Sequence, residues 1–270
     1  ILIQRVRVVD ERGEEATGKK RGTYITLTSR SFRERRQDRQ EQLARLLAKE
    51  IQALLPRPGM SILVVGLGNQ EATPDSLGPR VVQRLVVSRH LGPKMPKDYE
   101  GELGTLSALA PGVLGQTGIE TKDVILGITK EIRPDAVLAV DALAAGSIQR
   151  IGTTIQLADT GIRPGSGVGN ARAEITKEAL GVEAVVALGI PTVVHALTIA
   201  REALLAYLQE ENQPQEGVDL FLEDHLAPMM GNLMVTPKEI DTLMEDMAAV
   251  VAAGINAAIH RAVAREENLL

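Results

Sequence analysis

Apolar and polar positions divide this chain into short buried runs and longer amphipathic stretches. Ile1–Val9 alternates as Ile1 and Ile3, then Val6 and Val8, and Gly22–Thr28 alternates again beyond breaks at Gly13 and Gly18. These two segments predict an antiparallel strand pair, placed outside the main sheet. Leu43, Leu46, Leu47, Ile51 and Leu54 follow helical spacing up to Pro56. Ile62–Val65 is a compact β-branched run stopped by Gly66, Gly68 and Asn69, which reads as a buried strand ending in a sharp turn. Val81, Val82, Leu85 and Val86 predict a helix near 80–90, after a loop bracketed by Pro74 and Pro79.

Similar units follow. Residues 92–104 are a Pro- and Gly-rich connector, and Gly112, Gly115 and Gly118 mark another loop. Lys122–Ile132 reads as a helix, Ala136–Val140 as a second buried strand ending at Asp141, and Thr153–Ala158 as a third strand. Residues 159–170 form a long glycine-rich loop; Ala184–Ile190 is a further strand, closed by Pro191. Ile199–Leu208 is helical, residues 212–217 are polar and turn-rich, and the apolar series from Ile240 to Ile259 makes one long, mostly buried helix. The sequence Thr236-Pro-Lys-Glu239 reads as a capping box before it. Short apolar strands alternating with helices predict an α/β chain: a three-layer α/β/α sandwich with a mainly parallel central sheet and the N-terminal antiparallel strand pair. It reads as a single domain over 1–270, with residues 1–56 supplying the strand pair and a helix packed on the 57–270 core.

Composition narrows the function classes. Hydrophobic residues are 44% of the chain, as in a globular protein, and aromatics only 2%, which argues against a base-stacking nucleic-acid platform. The net charge of −5 implies no general affinity for polyanions. The absence of Cys removes disulfides, thiolate metal sites and cysteine nucleophiles together, and fits an intracellular protein. No apolar run reaches the roughly 18 residues of a membrane span. The basic run Ser31–Arg39 reads as a solvated loop or helix start, not an anion site. The chain opens on Ile1 and not on Met, as expected where a natural start has been processed or left out.

The candidate chemistry gathers at strand ends. Asp75 follows the first buried strand and Asp141 the second, and the C-terminal ends of parallel strands share one edge, where open α/β sheets place their ligands. Two carboxylates meeting there cannot both ionise cheaply, so one is held protonated, giving an acid and a base on either side of a water. The competing account is that each Asp caps the helix after it. His195, after the strand 184–190, can face the same edge, and a set of two carboxylates and a His would suit a metal. His90, His225 and His260 read as structural. Backbone N–H groups of the loop at Gly165, Ser166, Gly167 and Gly169 can hold a substrate backbone or a developing oxyanion, or simply serve a tight turn. Asp159-Thr160-Gly161 matches a pepsin-like triplet but lacks a second copy and a β-barrel setting. Gly66-Leu-Gly-Asn69 lacks the third Gly of a dinucleotide fingerprint. Pro164 spoils a nucleophile elbow at 165–169.

Several longer blocks carry a specific resemblance: Val64–Asn69 with Thr73–Asp75 and Leu77–Pro79, Pro111–Thr121, Val140–Ala145, Gly161–Asn170, Gly189–Val194 and Asn232–Ile240. In this order, over about Gly18 to His260, the chain resembles the germination (spore) endopeptidase family. The resemblance implies an atypical aspartic endopeptidase that degrades small acid-soluble spore proteins early in germination, with its two functional aspartates at Asp75 and Asp141. It implies synthesis as a zymogen, a homotetramer in the cytoplasm of the spore core, unfolded substrate protein as partner, no direct nucleic-acid or membrane partner, and no cofactor. It also implies a fold similar to hydrogenase maturation endopeptidases, in which two acids and a His bind nickel. The chain departs from the family in two places. Family members carry an acid where His195 stands, and their segment between Leu208 and His225 is longer. The rival functions are therefore a metal-dependent endopeptidase using Asp75, Asp141 and His195, and a non-catalytic anion- or peptide-binding module built on the glycine loop.

Overall fold

The fold is a computed structural model that describes residues 1–94, 99, 101–165 and 173–266. In chain order it runs β1 (Leu2–Val8), α1 (Glu11–Thr17), β2 (Gly22–Thr28), α2 (Gln37–Leu54), β3 (Ile62–Gly66) and α3 (Leu77–Val82). It continues through β4 (Leu106–Leu109), α4 (Leu114–Thr117), α5 (Thr121–Ile132), β5 (Ala136–Ala145), β6 (Thr154–Ala158), α6 (Lys177–Leu180) and β7 (Ala184–His195). It closes with α7 (Ala196–Glu210), α8 (Val218–Phe221), α9 (Ala227–Met230), β8 (Met234–Val235), α10 (Ile240–Ile259) and α11 (Arg261–Glu266).

The apolar runs that the sequence marks as buried on both sides form the middle of one sheet, ordered β1-β2-β6-β7-β5-β3-β4, with β8 added to the far end of β7. β4, β3, β5 and β7 are mutually parallel. Alternate side chains serve opposite layers, as the two-residue strand period requires. Ile62, Val64, Leu138, Val140, Val186 and Leu188 pack with Leu43, Leu47 and Ile51 of α2 and Met244, Met247, Val251 and Ile255 of α10. Leu63, Val65, Val137, Ala139 and Val185 pack on the other face with Ile125 of α5 and Leu180 of α6. The three-layer α/β/α arrangement is thus present.

Four local expectations change. The N-terminal strand pair lies within the main sheet: β2 pairs antiparallel with β6, bringing Ile25 and Leu27 beside Leu157 and Ile155 in the α2–α10 core. β5 does not stop at Asp141, nor β7 at Pro191; their ladder continues to Ala145 and Val194, with an irregularity at Leu143/Ala144. Pro191 is tolerated because β6 pairs only with Ala187–Gly189, so past that point β7 has no β6 neighbour awaiting an N–H. The helix predicted near 80–90 is only Leu77–Val82, because Asn256 and His260 of the α10 end take the backbone of Val86 instead. The predicted capping box is absent: the Thr236 hydroxyl donates to the Thr192 carbonyl (2.9 Å), and α10 begins at Ile240 without a side-chain cap. Strand β4 has no counterpart in the sequence reading.

By length and composition α10 would pass for a bilayer-crossing helix. Its apolar residues face α2, α3 and the sheet, and burial of each of its Leu, Ile, Val and Met side chains contributes ~1.5–3 kcal/mol.

Backbone packs directly on backbone where α3 meets β3. A Cβ on Gly66 would fall on the Gly78 carbonyl, and one on Gly78 would fall on the amide and carbonyl of Leu67. Gly78→Ala therefore has no flexible side chain to push aside. It is expected to lower unfolding free energy by about 2–4 kcal/mol, read from urea or thermal denaturation.

Candidate active site

The stretch from Gly66 to Pro79 folds back over the end of β3. Gly68 takes φ +111°, and a Cβ there would strike the Asp75 carbonyl, so only glycine lets the turn close this tightly. Leu67 N–H donates to the Val140 carbonyl (2.8 Å), which docks the turn onto β5 one residue before Asp141. The buried Thr192 hydroxyl of β7 donates to the Pro74 carbonyl (2.7 Å). Ser76, also buried, donates to the Thr73 carbonyl and accepts from Arg80 Nε, both at 2.8 Å. Arg80 and Arg84 both grip Glu245 of α10. Asp75 ends a short 3-10 turn (Thr73–Asp75) held on every side, and its Oδ2 accepts from Asn69 N–H (2.7 Å).

Asp141 reaches the same place from the sheet. It is the residue of β5 just past Val140, where neighbour β3 has ended at Gly66. It pairs with Gly189 of β7. Its carboxyl is buried, 7% exposed, with Oδ1 accepting from Ala142 N–H (2.9 Å). Burial first, and the charge of nearby Asp75 second, push its pKa up to about 7; the Ala142 bond opposes them. Asp75 is half-buried, and burial also raises its pKa, partly offset by Asn69 N–H. Asp75 thus ionises first, while Asp141 is neutral, and Asp141 then feels its charge. Below about pH 7, once Asp75 has ionised, the pair holds one proton, resident mainly on Asp141, which is the condition for an acid and a base at one site. Neither Asp serves as a helix cap: Asp141 lies within a strand, and Asp75 takes its bond from the turn before it.

The other sequence candidates fall on other elements. Of the glycine loop, Gly165 has φ +71°, while Ser166, Gly167 and Gly169 lie outside the described residues. Asp159 accepts from Thr23 N–H (2.7 Å), so the pepsin-like triplet braces β2. His195 ends β7 and pairs with Met234; among the described residues no three His, Asp or Glu side chains group as metal ligands. His225 stacks on Phe221, and His260 is buried against the Val86 carbonyl. Sequence reasoning missed Asn69 as a hydrogen-bonding group, Thr192 and Gln116. Gln116 Nε2 donates to Asn69 Oδ1 (2.7 Å) and ties the 112–118 loop to the Asp75 turn. No spacing rule links residues this far apart.

The sequence model of the germination protease family matches residues 1–211 and 203–269. The chain belongs to the germination protease family. A germination protease of Caldanaerobacter subterraneus subsp. tengcongensis is 44% identical over 283 residues, covering 99% of this chain and 87% of that protein. One from Priestia megaterium is 41% identical over 316 residues, covering 98% and 85%. An alignment longer than the 270-residue chain means that the Priestia protease has dozens of positions without a counterpart here. The two family matches overlap at residues 203–211, at the C-terminal end of α7. Among solved structures, the NiFe hydrogenase maturation protease HycI from Thermococcus kodakarensis KOD1 aligns with TM-score 0.39 and 18% identity, over 76% of this chain and 98% of that one. Family membership makes the chain a peptidase.

Keeping a carboxyl neutral in the fold has a sign. The Asp141 pKa lies above its ordinary 3.8, so between there and about 7 the unfolded chain releases a proton that the folded chain keeps. Wild-type stability should therefore fall, relative to Asp141→Asn, as pH rises through that window, and level off above it. The difference is on the order of a few kcal/mol, measurable by urea denaturation at a series of pH values.

Proposed function

We propose that this protease hydrolyses small acid-soluble spore proteins during germination, with Asp75 and Asp141 as its catalytic pair. The observation that carries the reading is the buried Asp141 carboxyl, raised to about 7 beside Asp75. Asp75, ionised, takes a proton from water as the water oxygen bonds to the peptide carbonyl carbon. The carbonyl π pair moves to its oxygen, which receives the Asp141 proton. As the tetrahedral carbon collapses, the C–N bond breaks, the amine takes the proton held by Asp75, and Asp141 recovers its own. The pair titrates as a unit, and these roles are those its preferred proton position supports. Gly165, Ser166, Gly167 and Gly169 are assigned to the substrate backbone through their N–H groups.

The resemblance to the spore endopeptidases supports the rest of the reading: zymogen synthesis, a homotetramer, the spore-core cytoplasm, no direct nucleic-acid or membrane partner, and no cofactor. Retention of cleavage after exhaustive chelation separates it from a metal-dependent endopeptidase using His195. Fragment analysis by mass spectrometry separates it from a binding module.

Asp75→Asn and Asp141→Asn are each expected to lower cleavage by 10³-fold or more, roughly the loss seen when a general acid or base is removed, while unfolding stays cooperative. In the wild type, activity should decline as pH rises through about 7, where Asp141 loses its proton, and decline again in acid as Asp75 gains one. Near-wild-type activity in either variant would overturn the pair.

The substrate is expected to be an extended chain, because its backbone must lie across the strand-end edge beside the 112–118 and 161–165 loops. A spore protein ordered on DNA would have to leave the DNA first, so DNA should protect it in proportion to the fraction bound. Initial cleavage rate against DNA concentration tests this, and a rate that stays flat while substrate saturates with DNA would sink the idea.

A further inference from the structure

Asn69 uses its parts unequally. Its backbone N–H donates to Asp75 Oδ2 (2.7 Å), which sets the residue against the dyad. Its side-chain Oδ1 accepts twice, from Glu71 N–H (3.0 Å) and from Gln116 Nε2 (2.7 Å). A backbone N–H can only donate, so the limb of the amide facing Glu71 is the oxygen and the orientation of the carboxamide is settled chemically. The Nδ2 group is the opposite limb, and among the described residues it makes no hydrogen bond. Asn69 is half-buried, so this donor remains open to a bound ligand. The result is a carboxamide clamped by its acceptor end, with two N–H bonds left over, in the residue whose backbone holds the ionised carboxylate.

The dyad itself leaves room for such a donor. Asp75, ionised, only accepts, and Asp141 brings one O–H. A peptide carbonyl turning tetrahedral gains charge on an oxygen with two lone-pair directions. We infer that Asn69 is a further catalytic residue, its Nδ2 donating to the substrate carbonyl oxygen as that charge develops, and that Gln116 is the positioning residue that holds the amide in the donating orientation. The inference rests on the dyad reading for the location of the carbonyl. Its energetic logic is that of an oxyanion hole: a donor fixed before the reaction acts mainly on the transition state.

The test uses the whole protease and DNA-free small acid-soluble spore protein as substrate. Asn69→Ala is expected to lower kcat by about 10²–10³-fold with little change in KM, as for loss of one oxyanion donor. Its pH profile should keep its position, because the backbone N–H to Asp75 remains. Gln116→Ala, at an exposed site that does not threaten the fold, should lower kcat by roughly tenfold, and the double variant should be no worse than Asn69→Ala alone, because Gln116 acts through Asn69. Four results overturn the inference: kcat near wild type in Asn69→Ala, a loss confined to KM, a shifted acid limb, or losses at the two positions that add in full. Should Asn69→Ala fail to fold, an unchanged kcat in Gln116→Ala overturns it equally. Asp75→Asn and Asp141→Asn measured alongside separate the two readings: activity there removes the dyad whatever Asn69 does, and inactivity there with normal Asn69→Ala removes only the role of Asn69.

Discussion

The site depends on one contact between two pieces of backbone. Residues 66–68 and 75–78 touch without intervening side chains, through Gly66, Gly68 and Gly78. Close-packed interiors rarely bring main chain so near to main chain unless Cβ atoms are missing. Everything that fixes Asp75 follows from that approach. The Leu67 bond to Val140 and the Thr192 bond to Pro74 tie the turn to β5 and β7. The Ser76–Arg80–Glu245 chain carries the same turn to α10, the helix that fills one face of the core. A carboxylate on a loop thereby acquires the fixity of one on a sheet.

The two acids are made unlike by position. Asp141 sits inside a ladder whose backbone bonds to β7 continue past it, so the sheet holds the residue while its carboxyl stays unfavourably buried. Asp75 sits on the rim, half-exposed, with a backbone donor on its oxygen. Like-charge proximity alone would leave the proton undecided between two equivalent acids; unequal burial settles where it rests.

Much of this was legible in the sequence, for identifiable reasons. The β-branched runs at 62–65, 136–140 and 184–190 gave the central strands because burial on both faces leaves an unbroken apolar signature. The rule that parallel strands share a C-terminal edge brought Asp75 and Asp141 together. The strand lengths were misread: Asp141 and Pro191 look like stops, yet the ladder runs through both where a neighbour has already ended. The length of α3 and the absence of a Thr236 cap were decided by tertiary bonds, from the Val86 N–H to Asn256 Oδ1 and from the Thr236 hydroxyl to the Thr192 carbonyl, which have no local sequence signal. The placement of the N-terminal pair depended on β6, whose alternation matches an edge strand and an internal one equally well. The Gln116–Asn69 bond joins loops 47 residues apart and is visible only in three dimensions.

The proton on Asp141 also makes the site a chemical partner of the solvent. At pH values above about 7 the dyad is largely doubly charged, and any ligand whose carbonyl requires the acid form must draw a proton from the buffer as it binds. Affinity and proton uptake are then two faces of one linkage, and the heat of binding contains the ionisation heat of whatever buffer supplies that proton. A ligand of that kind and a proton would, in that range, be co-ligands of the same pair of carboxyls.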